Sequence, residues 1–127
     1  MLNAAVPEIH VTSARAAREF YGAALGFTCQ SAWRPDNARE DPCYMTFTRD
    51  GARLNVSSFK DGAIGIAVYV YVDDVDSLYQ EFVEKGLRLS SPPIDQSWGT
   101  REFGVRDADG NSIRFGQTAD TRDERAD

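Results

Sequence analysis

An internal repeat constrains the fold of this chain more than any other feature of its sequence. The matched positions are Val11 and Val72, Ser13 and Asp74, Ala17 and Leu78, Tyr21 and Phe82, Gly26 and Gly86, and Gly51 and Gly110. The spacing between partners drifts only from 61 to 60 to 59 residues along the chain. Such self-similarity indicates a duplicated supersecondary unit that cannot bury its sheet face alone. We therefore predict two similar modules that pack together.

Each half follows the order strand, helix, strand, strand, strand. In the first half, the alternating "VPEIHVT" precedes an N-cap at Ser13 and a helix that ends at Gly26, and "FTCQSAW", "CYMTFT" and "ARLNVSSF" follow as strands. In the second half, "IGIAVYVYV" leads to an N-cap at Asp74, the helix "VDSLYQEFVEKG" and strands at "LRLSS", "TREFGVRD" and "NSIRFGQ". These patterns predict an α+β fold with one domain over 1–127, made of βαβββ modules at 5–60 and 64–117 and a flexible acidic tail at 118–127.

Composition excludes several classes of function. The net charge of −6 and the lack of a basic stripe argue against nucleic-acid binding, whereas they are compatible with a cationic small ligand. The longest apolar run is far shorter than the roughly 20 residues that span a membrane. The N-terminus does not resemble a signal peptide, so we expect a cytoplasmic location. Cys29 and Cys43 are too few for a disulfide framework and are interpreted as reduced thiols.

His10 is the only histidine in the chain, and the sequence leaves its role open. It could be a packed, hydrogen-bonded residue, a ligand contact, or, with Glu8 two positions earlier, a fragment of a metal or catalytic site. No nucleophile triad, dinucleotide-binding glycine motif or P-loop is recognisable in the rest of the sequence. The sequence therefore offers no independent sign of covalent or nucleotide chemistry.

Two motifs carry a resemblance to a known family. "EFYGAALGF" near the start and "WGTREFGVRDADGNSIRF" near the end, at the spacing of paired βαβββ modules, resemble the vicinal oxygen chelate superfamily over about residues 5–117. That superfamily includes glyoxalase I, extradiol dioxygenases, fosfomycin-resistance enzymes and bleomycin-resistance proteins. The resemblance implies a curved sheet with a concave groove, paired in a dimer.

The resemblance also locates the positions at which metal-dependent relatives carry their ligands. These positions correspond here to Val6, Ala67 and Arg114. An aliphatic group and a methyl group cannot chelate a cation, and a guanidinium would repel one. We therefore expect no metal and no cofactor.

The same positions imply which side chains face the groove, because side chains alternate along a strand. The expected ligand-binding residues are aromatic or polar: Trp98, Tyr69, Tyr71, Tyr44, Ser57, Phe59, Asn55, Phe103, Arg114, Trp33 and His10. Of these, Tyr44, Ser57, Tyr69, Tyr71 and Trp98 match groove positions of bleomycin-resistance proteins. Core or dimer packing remains an alternative for the aromatic residues. Arg101, Glu102 and Arg106 are interpreted as a charged strand edge.

The resemblance implies a binding protein rather than an enzyme: a cytoplasmic homodimer that sequesters a bleomycin-like glycopeptide or a similar planar cationic ligand and confers resistance. Two alternatives stay open. One is a glyoxalase- or dioxygenase-like enzyme with a displaced metal site at His10 and Glu8, and the other is an accessory domain without a small ligand. The "RPDNAREDP" loop, longer than in the drug binders, leaves the identity of the ligand undetermined.

Overall fold

The computed structural model describes residues 1–89 and 91–119, which group into two compact units. Of the described residues, the first unit contains 1–66 together with the turn segment 106–111, and the second contains the rest up to residue 105 together with 112–119. The predicted tail at 118–127 lies outside the described residues except for its first two positions. No helix among the described residues is long and apolar enough to cross a membrane.

The first unit has the predicted order of elements. Its elements are β1 (Glu8–His10), α1 (Ala14–Ala17), a π-helical continuation of α1 (Arg18–Ala24), β2 (Thr28–Trp33), β3 (Tyr44–Arg49) and β4 (Ala52–Ser57). They form a four-stranded sheet in the order β1-β4-β3-β2, in which β1 runs parallel to β4. The N-cap prediction at Ser13 is confirmed, because its side chain accepts a hydrogen bond from the Ala16 amide.

The second unit repeats this arrangement. It contains β5 (Ala67–Tyr71), α2 (Val75–Glu84), β6 (Ile94–Asp95), β7 (Thr100–Arg106) and β8 (Ser112–Thr118). The sheet order is β5-β8-β7-β6, with β5 parallel to β8. Asp74 caps α2 by accepting from the hydroxyl and amide of Ser77, and these hydrogen bonds lower the pKa of the Asp74 carboxyl. The α+β fold of two βαβββ modules is therefore confirmed.

The predicted strand at "LRLSS" is wrong for its described residues. The Leu87 amide donates to the Phe82 carbonyl, so this residue completes the C-terminus of α2 after Gly86, which has a φ of 83°. Pro92 and Pro93 then follow, and proline has no amide hydrogen for a strand ladder. The strand at this place is the two-residue β6, seven residues beyond Leu87. Ser90 lies outside the described residues.

Each unit has its own apolar core. In the first unit, Ile9, Phe47 and Val56 are fully buried. In the second, Phe103 and Phe115 contact Phe82 of α2 with ring centroids 5.9 and 5.5 Å away. Burial of such side chains is the main force that holds a sheet face to a helix. One face of the second sheet is therefore occupied by α2.

The fully buried side chain of Asn111 connects three segments of the first unit. Its Oδ1 accepts from the amides of Gly65 and Ile66 at 2.7 and 2.9 Å. Its Nδ2 donates to the carbonyl of His10 at 2.9 Å and to Asp107 Oδ2 at 2.8 Å. Both halves of the amide are therefore satisfied, which a buried polar side chain requires.

We expect Asn111→Asp to destabilise the protein by about 3 kcal/mol, because an acceptor would then face the His10 carbonyl and the Asp107 carboxylate. Urea denaturation at neutral pH measures the change in the free energy of unfolding. The control is Asn37→Asp, which makes the same substitution at an exposed residue and should cost less than about 0.5 kcal/mol. Equal effects of the two substitutions would contradict this role of Asn111.

Tyr21 also buries a polar group in this unit. The side chain is fully buried on the π-helical segment, and its hydroxyl donates to Asp107 Oδ2 at 2.7 Å. Burial raises the pKa of Tyr21, and the hydrogen bond to Asp107 and the charges of Asp107 and Asp109 raise it further. The folded state therefore holds the phenol proton more tightly than the unfolded chain does.

This shift predicts a loss of stability in alkali. The contribution of Tyr21 is fully present below its unfolded pKa of about 10 and declines as the pH rises above that value. Tyr21→Phe should cost about 1–2 kcal/mol at pH 8, because a hydrogen bond to a carboxylate is lost. Between pH 8 and pH 11 the variant should lose less stability than the wild type in urea denaturation. The exposed Tyr71→Phe is the control, and a pH dependence of Tyr21→Phe equal to that of the wild type would contradict the assignment.

Candidate functional site

Alternation along the strands of the second unit leaves one sheet face without a helix. Phe103, Ile113 and Phe115 are buried on the α2 side, so the residues between them point the other way. The residues that share this other face, which we call the second open face, are Tyr69, Tyr71, Thr100, Glu102, Gly104, Arg114 and Gly116. The predicted residues Tyr69, Tyr71 and Arg114 thus lie together on one surface.

Glu102 is the most unusual residue of the second open face, since it is only 5% exposed. Its Oε2 accepts from the Tyr69 hydroxyl at 2.6 Å and from the Thr100 hydroxyl at 3.0 Å. Its Oε1 lies 3.4 Å from Nη1 of Arg114, but this ion pair lacks hydrogen-bond geometry, and Oε1 has no hydrogen-bond partner among the described residues. Leaving a buried acceptor without a hydrogen bond costs about 1–3 kcal/mol, and the ion pair with Arg114 offsets part of this cost.

Tyr69 reaches Glu102 by crossing over β8, which lies between their strands. A Cβ atom at Gly116 would stand 1.8 Å from the Tyr69 hydroxyl oxygen, so only glycine leaves room for this path. Burial and the hydrogen bond to Glu102 raise the pKa of Tyr69, so the phenol stays a proton donor at neutral pH. The Tyr71 ring is 72% exposed and lies with its centroid 5.0 Å from that of Tyr69.

The first unit also has a sheet face that collects predicted residues. The strand register aligns His10 with Ser57, Ser57 with Tyr44 and Tyr44 with Trp33, so these side chains form a row across the four strands. Paired residues of neighbouring strands lie on the same face. The next row contains Glu8, Asn55 and Thr46. We call this face the first open face.

The polar side chains of the first open face are hydrogen-bonded to one another. Tyr44 donates to Glu8 at 2.6 Å, which raises the pKa of the Tyr44 phenol, and Thr46 donates to Asn55 at 3.1 Å. Ser57 is buried and accepts from the Phe59 amide at 3.1 Å. Asn55 thus has a partner within the sheet, and Ser57 has one in the segment that follows β4.

The exposed Trp33 and the half-buried Phe59 form an aromatic pair at the edge of the first open face. Their ring centroids lie 6.0 Å apart with an angle of 12° between the ring planes, and Trp33 is 62% exposed. A stacked pair of this kind offers a flat apolar surface to a planar molecule. Trp33 directly precedes the 34–42 loop.

His10 is enclosed rather than open. Its Nε2 lies 3.0 Å from Asp61 Oδ1 and 3.5 Å from Glu8 Oε2, and the residue is 9% exposed. A Cβ atom at Gly62 would stand 2.3 Å from the ring, so Gly62 covers the histidine closely. This is the geometry of a packed, hydrogen-bonded histidine, which was one of the three interpretations of the sequence.

The positions that the family resemblance assigns to metal ligands do not fit a divalent cation. Val6 and Ala67 have no donor atoms, and the guanidinium of Arg114 pairs with Glu102. Among residues 1–89 and 91–119, no group of three or more His, Cys, Asp or Glu side chains is arranged to hold a metal ion. A divalent cation therefore has no ligand set at these three positions.

Two of the predicted site residues, Phe103 and Trp98, differ in exposure. Phe103 was expected to face the groove, but it is 4% exposed and packs against Tyr79 and Phe82, so that prediction is wrong. Trp98 is 64% exposed in the turn before β7, next to Gly99, which has a φ of 96°. Trp98 is therefore accessible to a ligand, whereas Phe103 is part of the core.

Glu102, rather than Phe103, is the residue of this part of β7 that lies on the second open face. The interpretation of Glu102 as part of a charged strand edge is wrong, because it is buried and bonded to Tyr69 and Thr100. The sequence did contain a signal: Phe103 and Val105 alternate as apolar residues, which places Glu102 on the opposite face. Arg101 is in contrast an exposed charge, paired with Asp76 and Asp95.

Substitutions of two glycines on neighbouring strands, β8 and β7, test whether the Tyr69 side chain crosses over Gly116. We expect Gly116→Ala to destabilise the protein by about 1–3 kcal/mol, because the new methyl group displaces the tyrosine from Glu102. Gly104→Ala, on the same face, is the matched control, since its Cβ would have its nearest neighbours at 3.7 Å and should change stability by less than about 1 kcal/mol. Urea denaturation measures both variants. A Gly116→Ala variant as stable as Gly104→Ala would contradict the described position of Tyr69.

The chain is similar in sequence to one protein family and in fold to several solved structures. A family model described as glyoxalase superfamily protein matches residues 1–122, whereas no curated protein sequence matches the chain. A bleomycin-binding protein complexed with bleomycin has a TM-score of 0.73 at 20% identity, over 92% of this chain and 99% of that chain. The bleomycin-binding protein of bleomycin-producing Streptomyces verticillus, complexed with copper(II)-bleomycin, has a TM-score of 0.69 at 25% identity, over 94% and 97%. A bleomycin resistance determinant encoded on the transposon Tn5 has a TM-score of 0.72 at 21% identity, over 92% and 98%.

Proposed function

Because the chain belongs to the glyoxalase superfamily, we propose that it is a binding protein that sequesters a bleomycin-like glycopeptide, or a similar planar cationic compound, without changing it chemically. Sequestration of this kind would confer resistance to the compound. The observation that carries the proposal is the exposed aromatic surface of the two open faces, in particular the pairs Tyr69 with Tyr71 and Trp33 with Phe59.

Aromatic pairs of this kind suit a ligand that is both planar and positively charged. Rings provide a large flat contact area, and a cation above a ring gains about 0.5–2 kcal/mol. The net charge of −6 attracts cations over a longer range. Trp98 is accessible as well, and we propose it as a further ligand contact.

The absence of a fitting metal-ligand set at Val6, Ala67 and Arg114 favours binding over the metal-dependent chemistry of other superfamily members. The similar solved structures include proteins that bind bleomycin, which supports a ligand of the same kind for this chain. We further propose that the protein is a cytoplasmic homodimer without a cofactor, as the family resemblance implies.

Calorimetric titration with metal-free bleomycin and with copper(II)-bleomycin tests the proposal. We expect saturable binding, quenching of tryptophan fluorescence and an unchanged ligand mass after incubation. Tyr71→Ala should weaken binding about tenfold, because it removes a stacking ring. The control is Val83→Ala, which shortens an exposed apolar side chain on α2 and should leave affinity unchanged.

Two results would overturn this function. One is the absence of binding by bleomycin and by other planar cationic drugs. The other is a changed ligand mass together with a stoichiometric divalent metal that is lost in His10→Ala, which would establish an enzyme with a displaced metal site.

A further inference from the structure

We infer that the second open face contains a polar subsite, formed by Glu102 and Arg114, that takes a carboxamide or lactam group attached to an aromatic ring. This inference rests on the proposed ligand-binding function and specifies the chemistry of one part of the ligand. All residues of the subsite belong to the second unit.

The first argument is the unused acceptor of Glu102. The side chain is more than nine-tenths buried, and Oε2 is already occupied by the hydroxyls of Tyr69 and Thr100. Oε1 has no hydrogen-bond partner in the described part of the chain. Buried carboxylate oxygens in folded proteins are normally hydrogen-bonded, so one that has only an ion pair with an exposed arginine indicates a place for an N–H donor of a ligand.

The second argument is the position of Arg114. Its side chain is 54% exposed, and within the described residues its only polar contact is the ion pair of Nη1 with Glu102 Oε1 at 3.4 Å. A guanidinium has five N–H donors, so most of them remain for a ligand. A hydrogen-bond acceptor, Glu102 Oε1, and a group of donors, the Arg114 guanidinium, therefore lie next to each other on this surface.

The pairing of these two sites selects the ligand group by charge as well as by hydrogen bonding. A carboxamide offers an N–H to Glu102 and a carbonyl oxygen to Arg114, and it is neutral. A carboxylate would be repelled by Glu102, an amidinium would be repelled by Arg114, and an ester has no N–H to donate. The amide is the group that satisfies both residues without repulsion.

The aromatic part of the ligand has a place beside this subsite. Tyr69 donates to Glu102, and its ring lies 5.0 Å from that of the exposed Tyr71. The path of Tyr69 over Gly116 and the hydroxyl of Thr100 hold the Glu102 carboxylate in position before any ligand arrives. Such preorganisation lowers the entropic cost of binding.

A series of four small probes tests the subsite by NMR titration of the wild-type protein: benzamide, methyl benzoate, sodium benzoate and benzamidine. We expect benzamide to bind about tenfold more tightly than each of the others, the effect of one hydrogen bond to a charged group. Chemical-shift changes should centre on the second open face. Absent benzamide binding, or equal affinity for benzamide and methyl benzoate, would overturn the inference.

Two substitutions make the test specific. Glu102→Gln places an amide donor near Arg114, so the preference should reverse, with benzoate binding more tightly than benzamide. Arg114→Gln, at an exposed side chain, should weaken benzamide and improve benzamidine. Glu84→Gln and Arg88→Gln make the same charge changes at exposed residues of the second unit and should leave the order of affinities unchanged. Thermal melts establish that each variant is folded, and an unchanged order in folded Glu102→Gln or Arg114→Gln would contradict the subsite.

Bleomycin titrations in parallel separate this inference from the proposed function. Bleomycin binding by the wild type without any preference for benzamide would overturn the subsite alone. A clear preference for benzamide, reversed in Glu102→Gln, without bleomycin binding would support the subsite and overturn bleomycin as the ligand.

Discussion

The buried amide of Asn111 is the interaction on which the first unit depends most. Its four hydrogen bonds join the turn at 106–111, the backbone at Gly65 and Ile66, and the last residue of β1. By holding the carbonyl of His10, it fixes the end of the strand from which the row of His10, Ser57, Tyr44 and Trp33 begins. A single satisfied polar side chain therefore sets the position of one edge of the first open face.

The polar side chains of the two open faces are hydrogen-bonded in different ways. On the first, the polar side chains pair with each other and leave aromatic rings at the edge. On the second, the carboxylate of Glu102 is buried and bonded to a tyrosine, and one of its oxygens has no hydrogen bond. A protein interior penalises such a group, and a binding surface can use it, because a ligand donor then gains a strong hydrogen bond. The subsite proposed on the second open face rests on this difference between the two faces.

Much of the fold could be predicted from local patterns, and the errors have identifiable causes. Capping by Ser13 and Asp74 and the alternation of most strands are local properties and were predicted correctly. The predicted strand at "LRLSS" was wrong because Leu87 completes the C-terminus of α2, and because the two prolines that follow lack the amide hydrogen that a strand needs. The turn in the first hairpin uses Asp50 in the left-handed region, with a φ of 51°, whereas the repeat pointed to Gly51 as the counterpart of Gly110. A shared position in a repeat thus does not ensure a shared backbone conformation.

The sequence by itself determined the duplicated βαβββ order, because periodicity and capping act over a few residues. The faces of Tyr69, Tyr71, Tyr44 and Ser57 followed from strand alternation once the family resemblance had implied which positions face the groove. Only the tertiary structure decided which polar atoms are paired. The burial of Glu102, the enclosure of His10 by Gly62 and the path of Tyr69 over Gly116 depend on residues 33 to 52 positions apart in the chain or on the next strand of a sheet. Hydrogen bonding and desolvation at such distances follow from strand order and register, which no local pattern encodes.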